Sequence, residues 1–72
     1  MTRENALAEA ARHFKTCEQR VARQQARLQK LVQGGHSDLA AEARNVLTLL
    51  EEALHRARER LRTERRARGL PE

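Results

Sequence analysis

This sequence predicts an all-α chain: two long helices folded into an antiparallel, coiled-coil-like hairpin. Three observations predict it. Between Thr2 and Arg68 no proline occurs, and only the pair Gly34-Gly35 interrupts helix formation. Apolar residues recur at the heptad period on both sides of that pair. Phe14 is the sole aromatic, and 35% of the residues are charged, a composition typical of long helices.

The first helix is expected over about residues 2–33. With Leu7 at heptad position a, the a residues are Leu7, Phe14, Val21 and Leu28. The d residues are then Ala10, Cys17, Gln24 and Leu31, of which only Gln24 is polar. A buried amide at such a position can fix the register of a coiled coil, or its polar end can reach out to the edge. Thr2 is placed to cap the start of this helix.

The turn is expected over residues 34–37. Gly34 or Gly35 can take the left-handed conformation that closes a helix without a Cβ clash. Ser37 is placed to N-cap the next helix, and Asp38 puts a carboxylate in its first turn, where the helix dipole favours it. His36, at the tip, is expected to serve the turn rather than catalysis. A link this short makes the helices antiparallel neighbours.

The second helix is expected over about residues 38–67, with a frayed tail over 68–72. With Ala40 at a, the a residues are Ala40, Leu47, Leu54 and Leu61, and the d residues are Ala43, Leu50, Ala57 and Glu64. The pattern fails at Glu64, where the helix is expected to leave its partner. Folding the chain at the turn pairs the two registers: Leu31 with Ala40, Leu28 with Ala43, Gln24 with Leu47 and Val21 with Leu50. Cys17 then meets Leu54, Phe14 meets Ala57 and Ala10 meets Leu61. Several layers set a large side chain against an alanine, which is how facing positions interdigitate without voids. The flanking e positions would bring Glu18 near Arg58 and Gln25 near Glu51.

Length limits what this fold can do alone. The 72 residues make one domain, 1–72, and a chain of this size buries only about 60% of its unfolded surface. Cys17 is the single cysteine, so neither an intrachain disulfide nor a thiolate zinc cluster can supply stability. Oligomerisation is the remaining device. Leu39, Val46, Leu49 and Ala53 form a second apolar stripe on the second helix, beside the first. They are the expected dimer interface, with a homodimer as partner and a twofold four-helix bundle as architecture.

Chemistry is sparse. His13, His36 and His55 lie at different ends or on different faces, and no spacing gathers two ligands with a third nearby. Glu51 and His55 are four apart and read as a surface pair. Cys17 lies on the core stripe, where a free thiol acts as a small hydrophobe. "QGGHS" is too short for a phosphate-cradling loop and follows no strand. No catalytic residue, metal or cofactor is expected, and the chain is read as a non-enzyme.

The net charge is +5, with thirteen arginines against two lysines. Arg20, Arg23, Arg27 and Lys30 follow three-and-four spacing and form a ridge, and residues 55–68 hold seven arginines against two glutamates. Such surfaces can meet phosphate backbones or acidic partners. There is no run of about 18 apolar residues for a membrane span. The start of the sequence shows neither a secretory apolar core nor a transit-peptide charge pattern, so a cytoplasmic location is expected.

The stretch "RVARQQARLQKLVQGGHSDLAAEARNVLTLLEEALHRARERL" resembles a group of small uncharacterised helical-hairpin proteins of GC-rich proteobacteria. The shared pattern corresponds here to Arg20-Val21-Ala22-Arg23-Gln24, Leu31, Gly35-His36, Ala40, Leu49-Leu50 and Leu54-His55. Ser37-Asp38 stands where that pattern has Asp-Thr, and either pair can cap a helix. The resemblance spans roughly residues 13–61 and implies helical structure without an assigned activity. The architecture is also similar to that of Rop, a dimeric helical hairpin that binds paired RNA loops, though shape alone carries no function.

Two functional readings follow. The first is a non-enzymatic interaction and dimerisation module, which could also take another protein as partner. The alternative is a dimeric RNA- or DNA-binding protein that uses the arginine-rich ridge.

Overall fold

The computed structural model describes residues 3–70. It contains two helices, α1 (Arg3–Gln33) and α2 (Ser37–Ala67), each 31 residues long. At about 1.5 Å rise per residue each is roughly 46 Å long, and the hairpin measures 49 × 19 × 14 Å. The two helices pack against each other along this length.

The turn is tighter than a four-residue link. The Gly35 N–H donates to the Val32 carbonyl at 3.1 Å, and the His36 N–H donates to the Leu31 carbonyl at 3.0 Å. This pair of bonds is the Schellman closure, and Gly35 supplies its left-handed residue at φ +73°. The His36 carbonyl already accepts from the Ala40 N–H at 2.8 Å. His36 is therefore both the last residue of one closure and the N-cap of α2.

That double use corrects the expectation for Ser37. No residue is left between the closure and the next helix, so Ser37 falls one position inside α2. His36 holds the cap position and makes no side-chain cap bond. Asp38 does lie in the first turn. The expected Thr2 cap lies outside the described residues.

The far end also departs from expectation. α2 runs unbroken past Glu64, which is half-buried, as is Arg65. Beyond Ala67 the chain does not fray at once. The Gly69 N–H donates to the Arg66 carbonyl at 3.0 Å and the Leu70 N–H to the Arg65 carbonyl at 2.9 Å. Gly69 sits at φ +73°, so this end repeats the closure at Gly35. Residues 71–72 of the expected tail lie outside the described residues.

The core follows the two heptad registers. The buried residues are Ala10, Cys17, Val21, Ala40, Ala43 and Ala57, all at a or d. Leu7, Phe14, Leu28, Leu31, Leu47, Leu50, Leu54 and Leu61 are half-buried. Among the described residues no large side chain is fully enclosed. Gln24 stays in the seam: its Nε2 donates to the Ala43 carbonyl at 3.1 Å. The polar core residue is thus satisfied across the pair and ties the helices in register.

The flanks differ from simple e-to-e pairing. Arg58 forms no salt bridge with Glu18; its guanidinium lies over the Phe14 ring, 5.8 Å from the centroid. A half-open aromatic face offers the planar cation both contact and charge stabilisation. On the opposite flank Arg60 reaches Glu9 at 3.9 Å. Both groups are largely solvated, so this pair adds little stability.

Candidate interaction surfaces

The hairpin has two unlike sides. Positions e and b of both helices form one side, and positions g and c form the other. On the g side of α2 stand Leu39, Val46 and Leu49, exposed to 47%, 44% and 64%. Ala53, expected in the same stripe, is half-buried by the hairpin itself. The three large apolar groups share one side of α2, with Glu42 set between Leu39 and Val46.

Across the seam, the g and c positions of α1 carry Arg20, Arg23, Arg27 and Lys30, all exposed. Among the described residues none of the four forms a salt bridge. A shallow groove lined by Gln24, Arg27, Leu39, Glu42, Ala43 and Val46 joins the cationic ridge to the apolar stripe. The two sets of residues singled out in the sequence are therefore neighbours on one side of the molecule. Sequence reasoning treated them separately; the g-to-g facing rule for antiparallel helices was the signal that unites them.

The turn residues make a local structure. The His36 imidazole folds back over Gly34: a Cβ added there would stand 2.9 Å from its Cδ2. His36 is thus packed against its own turn while remaining exposed overall. Val32, Gly35, His36, Ser37, Ala40 and Arg44 line a small hollow beside it.

Two contacts were not anticipated. His13 Nε2 lies 3.6 Å from Cys17 Sγ, one helical turn away. Their spacing of four could have shown this, because d and g positions adjoin along a helix. Cys17 itself is buried, as the core reading requires. The second is Arg58 over Phe14, hidden in sequence because e positions were matched only by charge.

His13, His36 and His55 are not brought together, and among the described residues no three His, Cys, Asp or Glu side chains are grouped to hold a metal. No described helix is long and apolar enough to cross a membrane. Comparison with protein-family models, curated proteins and solved structures gives no match.

Proposed function

We propose that this chain is a helical interaction module that acts by self-association, two hairpins joining through the α2 stripe. The single observation that carries the reading is the exposed row Leu39, Val46 and Leu49. It lies on a hairpin whose own leucines are only half covered. A second copy is the simplest cover, because a twofold contact needs only one surface that fits itself.

The stripe has such a fit. An antiparallel α2–α2 contact centred on Val46 sets Leu39 against Ala53 of the second copy. Leu49 falls opposite Ala43 of the second copy, which its own hairpin already encloses, so Leu49 covers the edge of that seam. Large side chains again meet small ones, as they do across the hairpin seam. Arg20 and Arg27 then stand at the edge of the contact, where charges stay in water, as in the polar rim of an ordinary interface.

Sedimentation equilibrium tests this reading. The wild-type chain is expected to approach twice its 8.3 kDa mass as concentration rises. The variant Val46→Glu/Leu49→Glu is expected to stay monomeric and helical. A wild-type mass of 8.3 kDa at every concentration would overturn self-association. So would normal dimers of the double variant.

A further inference from the structure

The charge on α1 is sorted by face to a degree the hairpin does not need. Between Glu9 and Asp38 the only acid is Glu18. Glu18 occupies an e position, on the side away from the arginine ridge. The c, f and g positions from Arg12 to Gln33 form one continuous strip, about 100° wide on the helix. It holds five cations: Arg12, Arg20, Arg23, Arg27 and Lys30. Between them lie His13 and the neutral hydrogen-bonding side chains of Thr16, Gln19 and Gln33, with Ala26 as the one apolar residue. Every one of these residues is exposed.

Ordinary surface helices intersperse both signs, because i,i+4 pairs of opposite charge stabilise the helix and like charges oppose it. In this strip no pair three or four apart joins opposite charges, and Arg20–Arg23, Arg23–Arg27 and Arg27–Lys30 set cation beside cation. Among the described residues no acid of α2 forms a salt bridge with the strip: Glu42 lines the groove beside Arg27 without pairing with it. Glu9, just beyond the strip on α1, is engaged by Arg60. The strip also lacks the aromatic or aliphatic anchors that dominate protein–protein contacts. Cations with amide and hydroxyl donors, and no carboxylate, are the complement of phosphate oxygens.

We propose that the outer strip of α1 binds the phosphodiester backbone of a nucleic-acid duplex. The lack of an aromatic in the strip removes base stacking as a source of affinity, which favours a duplex over an unpaired strand. From Arg12 to Lys30 the cations span about 27 Å along a straight helix, which is less than one duplex turn. Recognition is by charge and shape, without base reading. This surface lies on α1 and the self-association stripe on α2, so the proposal goes beyond the dimer and does not require it.

Fluorescence anisotropy with the full chain tests it. The probes are a 20-base-pair RNA duplex, a DNA duplex of the same sequence, one unpaired strand, and polyglutamate labelled alike. The duplexes are expected to bind more tightly than the strand and than polyglutamate. The RNA and DNA arms tell which backbone is preferred. Five phosphate contacts would weaken DNA binding about 500-fold between 50 and 200 mM salt. Arg23→Gln/Arg27→Gln is expected to lower affinity at least tenfold at low salt and to flatten the salt slope by about two phosphate contacts. Lys15→Gln/Arg44→Gln removes the same charge from the other side and is expected to cost less than threefold. Equal losses in the two variants would overturn the proposal, leaving net charge alone. Polyglutamate binding as tight as the duplex would overturn it in favour of an acidic protein. No duplex binding at 50 mM salt would overturn it outright. Molar mass measured on the same variants keeps a failure of the dimer separate from a failure of this surface.

Discussion

The turn offers a sharp test, because its two glycines are held for different reasons. Gly35 lies at φ +73° with open space where a Cβ would go. Alanine there meets no atom, so its cost is that of the left-handed backbone, about 1–2 kcal/mol. The stiffer unfolded chain returns about 0.4–1 kcal/mol. The net loss is about 1 kcal/mol, a drop in Tm of about 4–8 °C for a domain of this size. Gly34 has no positive φ, and its added Cβ would meet His36 Cδ2 at 2.9 Å and Nε2 at 3.2 Å. That neighbour is the end of an exposed side chain and can swing aside. Gly34→Ala is therefore expected to leave Tm nearly unchanged in the wild type. In a His36→Ala background its effect on Tm is expected to be more favourable than in the wild type, because only the Lys30 carbonyl, 3.3 Å away, then crowds the Cβ. Thermal melts followed by circular dichroism at one fixed protein concentration measure all four variants; the concentration is held because association would itself shift Tm. Equal Tm values for Gly34→Ala and Gly35→Ala would refute the Schellman assignment. A lack of coupling between Gly34→Ala and His36→Ala would refute the packing of the imidazole on the turn.

Three further outcomes follow from the same geometry. Leu49→Ala removes a side chain that is 64% exposed in the hairpin. It is expected to leave helical ellipticity intact and weaken the proposed dimer about 30-fold, from about 1 kcal/mol of lost burial per copy. Sedimentation checks the second effect and circular dichroism the first. Gln24→Leu loses one neutral hydrogen bond worth about 0.5–1.5 kcal/mol but leaves the Ala43 carbonyl its place within α2. The gained apolar contact is expected to keep the urea midpoint at or above that of the wild type; a clear fall would show that the amide is a net stabiliser. Cys17, 4% exposed, is expected to react with a thiol reagent far more slowly in the folded chain than in urea. Equal rates would mean that the seam around Val21 and Leu54 opens freely.

Much of this fold was legible because a heptad repeat is a geometric statement. Ala10, Cys17, Val21, Ala40, Ala43 and Ala57 were assigned to a or d positions from spacing alone, and they are the buried residues. The misses share a cause: they depend on how a few atoms close locally. Ser37 looks like a cap because serine caps well, yet its place is decided by how many residues the preceding closure consumes. Here that closure ends on His36. Glu64 breaks the apolar pattern, where the helix was expected to leave its partner, yet it stays half-buried because its stem can lie along the seam. Glu18 and Arg58 have opposite charges on facing positions, but the half-open Phe14 ring is nearer to the guanidinium's needs. The candidate surfaces were legible residue by residue, whereas their adjacency needed the hairpin's handedness.

Two cylinders touch along one line, and only small side chains on that line can be enclosed by both. This is why, among the described residues, the largest buried one is Val21, while every leucine of the seam remains half open. Such openness exists on both sides of any two-helix hairpin, so by itself it does not select a side for further packing. The residues bordering the seam do. On the e side the border is Glu18, Gln25 and Val32 from α1, with Arg44, Glu51 and Arg58 from α2. Mixed charge there keeps water at the leucines' edge, and Val32 stands as a lone apolar group. On the g side the border is His13, Arg20 and Arg27 from α1, with Leu39, Val46, Ala53 and Arg60 from α2, and Glu42 and Leu49 stand one row further out. A helix laid on that side buries the half-open leucines and the stripe together. The arginines at its border and the cations beyond them stay in solvent. The same asymmetry supports the proposed association on α2 and would leave the cationic strip of α1 open for the proposed phosphate contact. The two proposed contacts can be made by one molecule at once.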